Sequence, residues 1–405
     1  MKMRYLSIFL LLACACSKPG ADDPRHIAFI NATLIDGTGS PAIDSAVLVI
    51  KDQNIIAVGP KGSTVIPDNT TVVDLKGKYI IPGLINSHGH VGEEDAIGNL
   101  QKYARYGITT VVSLGGEKRV SDTTNAHSRL YIAGEVITGK TPDEAIAVLE
   151  RNAAMGVDWM KIRVDDNLGT AEKMREDVYR AVIAKSHELG YKIATHMYYL
   201  DDAKKLLAAG SDLMAHSVRD LPVDDQFITL IKERQVCYCP TLTRELSTFV
   251  YGTTPEFFAD PFFTKEYDSS VTAPLEDPAR QEQVRNSKSA QTYREQLPVA
   301  MANLKRLSDV GIPIAFGTDS GIPTRFVGYF EHVEMAMMAE AGLSPMQILK
   351  SATGDAAECM GLKDVGVLAE GKRADFVVLD GDPLADIKNT RTIDAVWIGG
   401  EKVNR

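Results

Sequence analysis

Short apolar runs separated by turn residues fill the chain from Ile27 onward. Residues 28–36 lead into Gly37-Thr-Gly39. Ala46-Val-Leu-Val-Ile50 meets Asp52-Gln-Asn54 and resumes as Ile55-Ile-Ala-Val-Gly59, and Thr71-Val-Val-Asp-Leu75 follows. Runs of this length, rich in Val and Ile and bounded by Gly, Asp and Asn, predict strands and a hairpin. The far end has the same style, in Ala374-Asp-Phe-Val-Val-Leu379 and in Ile393-Asp-Ala-Val-Trp-Ile398 before Gly399-Gly400. Two β-rich ends around one middle predict a small β-sandwich built from both termini, with residues 26–82 supplying one part and 362–405 the other.

The middle, residues 83–361, alternates strands with helices. Eight strands are predicted, at 84–90, 109–114, 130–138, 159–164, 192–197, 212–217, 236–242 and 313–319. Caps mark the helices between them. Thr141-Pro-Asp-Glu144 is a capping box with Pro at the first helical position, and Gly156 fits its stop. Asp201 reads as another cap, and Ser344-Pro-Met-Gln347 repeats the capping box. Eight strand-then-helix units predict an α/β fold, a (β/α)8 TIM-like barrel, whose chemistry belongs at the carboxyl ends of the strands. One connection is out of scale: about 70 residues separate the last two strands, where a few would do. Its portion 243–298 carries Phe249, Tyr251, Phe257, Phe258, Phe262, Phe263 and Tyr267. It reads as a lid on the active face, or else as an excursion packed on the barrel wall.

Composition narrows the function class. Of 405 residues, 44% are hydrophobic and 24% charged, enough for a sizeable core. The net charge of -10 gives no support to a nucleic-acid partner, which wants a basic face. Residues 1–16 differ from the rest. Lys2 and Arg4 precede an apolar stretch that ends at Cys14 and Cys16, as in a secretory signal too short to span a bilayer. Leu11-Leu-Ala-Cys14 resembles a bacterial lipoprotein cleavage box, with residues 17–25 as a tether. The expectation is an exported protein, periplasmic or held at the outer membrane by a lipid anchor only. Of the remaining cysteines, Cys237 and Cys239 fall in one strand and read as small buried hydrophobes, and with Cys359 they imply no disulfide framework.

The candidate chemistry starts at strand 84–90, which ends in His88-Gly-His90. A period of two places both imidazoles on one side of the strand, where they can share an ion. Four more side chains fall near strand ends in order: Lys161 in Trp159-Met-Lys-Ile-Arg163, His196 in Ala194-Thr-His, His216 in Met214-Ala-His-Ser217, and Asp319 in Phe316-Gly-Thr-Asp-Ser320. Singly, each is an ordinary polar residue or cap; six in sequence along alternating elements are not an accident. The string Pro82-Gly-Leu-Ile-Asn-Ser-His-Gly-His90 resembles the opening signature of the metal-dependent amidohydrolase superfamily. The full set resembles its binuclear branch, and the context resembles the Xaa-Pro dipeptidase and imidazolonepropionase-related group.

That resemblance covers the chain after residue 26 and implies two divalent ions. One would be held by His88, His90 and Asp319, the other by His196 and His216. Lys161, carboxylated by carbon dioxide, would bridge them. Zinc is the expected metal, although the ligand set also admits manganese, cobalt or iron. The implied reaction is hydrolysis of an amide bond, in a dipeptide or an N-acyl amino acid, by a metal-bridging hydroxide. Asp319 would act as general base and Tyr198 as a donor to the oxyanion. A substrate carboxylate would want a guanidinium, for which Arg219, Arg163, Arg244 and Arg325 are candidates. Lactone or phosphoester hydrolysis is the alternative on the same site, and a non-catalytic solute-binding lipoprotein is the alternative from another class. Deamination fits less well, since Tyr199 and Leu200 stand where a mononuclear deaminase of the superfamily carries Glu. Assembly into a homo-oligomer stays open.

Overall fold

The structure is a computed structural model, and it describes residues 26–404 apart from 93, 117 and 121–123. The expected signal and tether lie outside the described residues. The first β-rich segment forms β1 (His26–Leu34), β2 (Ile43–Lys51), β3 (Asn54–Pro60), β4 (Thr71–Asp74) and β5 (Tyr79–Pro82). The middle supplies β6 (Leu84–Gly89), β7 (Ile108–Ser113), β8 (Arg129–Ile132), β9 (Met160–Arg163), β10 (Ile193–His196), β11 (Leu213–Ala215) and β12 (Cys237–Cys239). The last segment supplies β13 (Phe376–Leu379), β14 (Ile393–Ile398) and β15 (Glu401–Lys402).

The two ends combine in one hydrogen-bonded mixed sheet. Its order is β15-β14-β13-β5-β1-β2-β3, with β4 also on β1. The reason is β5, which pairs with β1 on one side and with β13 on the other, so hydrogen bonding runs unbroken between the termini. Phe29, Leu48, Ile50, Ile80 and Phe376 pack into one buried cluster, and Trp397 stacks on Phe376 with ring centroids 5.7 Å apart.

The middle forms two parallel sheets, β6-β7-β8 and β9-β10-β11-β12. Helices between the strands bury Leu100, Leu149, Val182, Leu206 and Phe227 against them. Capping follows expectation at Thr141 and Ser344, the latter a full capping box, but not at Asp201. There the helix Leu200–Ala209 starts two residues earlier, with Tyr199 at the cap position. Parallel bridges Ile137–Ile162, Tyr238–Ile314 and Gly89–Ser320 link the two sheets and the segment 313–320. That segment, expected as an eighth strand, makes the last two of these bridges without a regular ladder. Close approach is the cause. A Cβ at Gly317 would lie 2.5 Å from Cys239 Sγ and 2.9 Å from His88 Cβ, so the backbone runs against both neighbours.

Cys237 corrects the cysteine reading. It forms a disulfide with Cys359, 122 positions away in the helix Gly354–Met360, while Cys239 stays a buried free thiol. Nothing local in the sequence marks that pairing, because it exists only once the helix is packed against β12. The insertion divides its roles. Phe257, Phe258, Phe263 and Tyr267 pack on Phe326, Tyr329 and Phe330, so this part lies on the wall. Its last helix, Lys288–Asp309, sends Tyr293 and Gln296 toward Tyr198 and Arg244. No helix among the described residues is long and apolar enough to cross a membrane.

Candidate metal centre

Burial of β6 on both faces forces its polar residues to find partners inside the fold. His88, His90 and Asp319 converge, each offering a ligand atom within 4.8 Å of the others. His90 Nε2 lies 2.9 Å and His88 Nε2 3.4 Å from Asp319 Oδ1. The remaining imidazoles continue the group: ring centroids are 4.6 Å apart for His88 and His216, and 4.3 Å for His216 and His196. His216 and Asp319 both adopt left-handed backbone, with φ of 76° and 58°. Non-glycine residues rarely accept such a conformation, and here two of them stand at one cluster of buried polar side chains.

Lys161 sits among them on β9 and is 3% exposed. Its Nζ has no hydrogen-bond partner among the described residues. Asp165 and Asp166, the next acids after it in sequence, are engaged elsewhere: Asp165 with His196 at 3.0 Å, and Asp166 with the Tyr199 hydroxyl at 3.0 Å. Burial pulls the Lys161 amine down to about 8. Burial likewise holds the imidazoles of His88 and His216 well below their ordinary range, and that of His196 at about 3, so all three are neutral. Burial pushes the Asp319 carboxyl up, but Arg325, His88 and His90 outweigh it and keep it well below the usual carboxylate range.

This chemistry fits metal ions. Neutral imidazoles and an ionised carboxylate are the donor types that divalent cations take. A buried amine with no acceptor, and a His88 Nδ1 likewise without a partner, are costs an apolar core has no reason to carry. His88, His90 and Asp319 could hold one ion, with His196, His216 and Lys161 alongside. The other histidines stay away from the group: His127 and His332 are packed inside, and His187 pairs with Asp212 at 2.8 Å.

The four arginines part company. Arg219 is wholly buried, ion-paired with Glu245 at 3.1 Å and covered by the Tyr198 ring at 4.6 Å. Arg325 binds the Asp319 carboxylate, and its Nε donates to Ser247 Oγ at 2.9 Å. Arg244 pairs with Glu245 at 3.0 Å and lies 4.8 Å from the Tyr293 ring centroid. Arg163 holds Asp165 at 3.3 Å and lines a cleft of about 700 Å³ with Thr138, Lys140 and Asn167. Tyr198 is buried, and its hydroxyl donates to Gln296 Oε1.

Sequence reading missed the acids beneath the centre. Glu331 Oε1 accepts from Asn86 Nδ2 at 2.6 Å, Thr318 Oγ1 at 2.7 Å and Ser320 Oγ at 2.5 Å, and Asn86 Oδ1 accepts the His88 amide at 3.0 Å. One buried carboxylate thus ties the segment bearing His88 to the segment bearing Asp319. Glu334 accepts the amides of Leu242 and Thr243, both at 2.7 Å. The available signal was the pair of acids three apart in the otherwise apolar run Tyr329-Phe-Glu-His-Val-Glu-Met-Ala-Met-Met338.

Comparison with known proteins places these features. An amidohydrolase family model matches residues 79–403. The chain is 22% identical over 396 residues to an imidazolonepropionase of Deinococcus deserti, covering 89% of this chain and 92% of that protein. It is 24% identical over 390 residues to a 5-methylthioadenosine/S-adenosylhomocysteine deaminase of Bacillus cereus, covering 87% and 85%. Among solved structures, an Xaa-Pro dipeptidase with methionine bound in its active site shares the fold, with a TM-score of 0.73, 21% identity, and coverage of 94% of this chain and 100% of that one.

Proposed function

The chain belongs to the amidohydrolase family, whose enzymes act on carbon–nitrogen bonds, and on that premise we propose that it hydrolyses the amide bond of dipeptides or N-acyl amino acids. The observation that carries this reading is the unpartnered Lys161 amine inside a ring of four imidazoles and Asp319. His88, His90 and Asp319 would hold one divalent ion and His196 and His216 a second, zinc first among the candidates, with carboxylated Lys161 between them. Such ions, when bound, acidify water and polarise a carbonyl.

The chain's own residues supply the rest. A Lys161 amine with a pKa of about 8 is partly neutral near pH 8, the form that adds carbon dioxide. Asp319, kept ionised by Arg325, takes the proton of the attacking water and hands it to the departing nitrogen. The new carbon–oxygen bond forms first and moves charge onto the carbonyl oxygen; collapse of that oxyanion breaks the carbon–nitrogen bond, and the acid's remaining proton passes to the amine, leaving a carboxylate and an ammonium. Tyr198, whose single hydroxyl proton goes to Gln296 Oε1 in the free protein, would turn that proton from Gln296 to the oxyanion. Arg244 and the outward edge of Arg163 receive the substrate carboxylate.

Two companion proposals rest on their own support. The parallel sheets and the three linking bridges support a closed (β/α)8 barrel. The Cys237–Cys359 disulfide supports export, since such a bond persists in oxidising compartments. The functional test is a turnover screen of zinc-reconstituted protein on dipeptides and acyl-amino acids, with lactones, phosphoesters and methylthioadenosine as further arms. Turnover confined to those arms, or none in metal-replete protein, overturns the proposal.

A further inference from the structure

The imidazoles of the centre are not held alike. His90 turns Nδ1 to the Gly115 carbonyl at 3.2 Å, and His216 turns Nδ1 to Thr241 Oγ1 at 2.7 Å. His196 instead turns Nε2 to a carboxylate outside the donor set, Asp165 Oδ2 at 3.0 Å. That carboxylate is itself fixed. Its side chain is fully enclosed, Oδ1 accepts the Asn167 amide at 3.0 Å, and Arg163 lies 3.3 Å from Oδ2. The sequence carries the arrangement as Arg163-Val-Asp165-Asp-Asn167, directly after Lys161-Ile.

We propose that Asp165 is a positioning residue for His196. It holds the imidazole proton on Nε2 and so leaves the Nδ1 lone pair free toward His216 and Lys161. A carboxylate on the far nitrogen also makes an imidazole a more basic donor, and loss of such a partner typically lowers metal affinity 10–100-fold. Asp165 therefore sets the affinity for one ion of the two, the one assigned to His196 and His216, and leaves the His88–His90–Asp319 ion alone. Arg163, which anchors Asp165, belongs to this support as much as to the cleft. The inference rests on the two-ion reading. A role confined to shaping the loop through the Asn167 amide predicts lost stability with no change at His196.

Two readouts test it. Long-range nitrogen–proton NMR of metal-free, histidine-labelled protein reports which ring nitrogen of His196 is protonated, with His196→Gln giving the assignment. Cobalt titration, followed by its visible spectrum, counts ions and their affinities. Wild type is expected to carry the proton on Nε2 and to take two ions. Asp165→Ala is expected to lose the fixed tautomer and to bind one ion 10–100-fold more weakly. Asp165→Asn keeps an acceptor without the charge, so it is expected to keep the tautomer and lose part of the affinity. Wild-type His196 protonated on Nδ1, or Asp165→Ala taking both ions with unchanged affinity, overturns the inference. Wild type that takes one ion overturns the two-ion reading instead, and the His196 tautomer still decides the role of Asp165.

Discussion

Opening the Cys237–Cys359 disulfide should cost stability without touching the metal centre. The bond joins the start of β12 to the helix Gly354–Met360 and closes a loop of 122 residues. In the chain-entropy treatment, a cross-link over a loop that long removes about 5 kcal/mol of unfolded-state freedom at 25 °C. That is a large part of the ~5–15 kcal/mol by which a typical folded domain outweighs its unfolded chain. A cleft of about 410 Å³ lined by Lys192, Lys232, Gln235 and Glu358 gives a reductant access. Cys237 stands at the amino end of its strand, whereas His196 stands at the carboxyl end of β10, two strands away in the same parallel sheet. The assay is urea unfolding of oxidised protein, reduced protein and a Cys237→Ala/Cys359→Ala variant, read by tryptophan fluorescence. Trp159 is a local reporter, because its indole donates to the carbonyl of Met360 at 3.3 Å. Reduction and substitution should each lower the midpoint by several kcal/mol equivalent and raise the denaturant slope, since the unfolded chain becomes less compact. Zinc content of the folded protein should not change. Coincident curves for the oxidised and reduced forms would refute the reasoning, because the loop entropy would then contribute nothing.

Asp319→Asn should lower kcat by roughly 10²–10⁴-fold, the range for a lost general base, and unaltered kcat in metal-replete protein removes Asp319 from proton transfer. Arg219→Met should destabilise by about 1.5–3 kcal/mol, because it removes one of the two guanidiniums on the buried Glu245 carboxylate and leaves Arg244 alone to neutralise it. A raised KM at full stability would instead restore Arg219 to substrate binding. Glu331→Ala removes the shared acceptor of Asn86, Thr318 and Ser320, at about 1–3 kcal/mol for each group left unmatched, and should lower both the melting temperature and the zinc affinity. His332 supplies a pH dependence. Burial holds its imidazole at about 3 against an ordinary 6.5, despite the Tyr106 carbonyl 2.9 Å from Nε2. The unfolded chain therefore binds one more proton between those values. The contribution of the neutral ring is whole above pH 6.5 and is lost as pH falls toward 3, by about 1.4 kcal/mol per unit. His332→Gln should flatten the measured stability–pH slope by one proton, and an unchanged slope would count against the burial argument.

How much was legible in the chain follows from the range of each interaction. His88 and His90 could be paired on paper because two residues in a strand share a face whatever surrounds them. Lys161, His196, His216 and Asp319 could be found because each follows an apolar run, and strand ends gather on one face of a parallel α/β fold. The predicted lid was half right for a similar reason. Its aromatics announced burial, yet which surface would bury them depended on Phe326, Tyr329 and Phe330 far along the chain.

Sequence by itself determined the alternation of strands and helices, the β character of both ends and the order of the candidate ligands, since all of these are written in periods of two and 3.6 or in short motifs. Only the tertiary structure decided that Cys237 meets Cys359, that β5 stitches the two ends into one sheet, that Arg219 is sealed against Glu245 and that Asp165 faces His196. Those outcomes hang on which unlike groups are brought within 3–4 Å by packing of the whole chain, and no local pattern encodes a distance between segments that meet only after the core has closed.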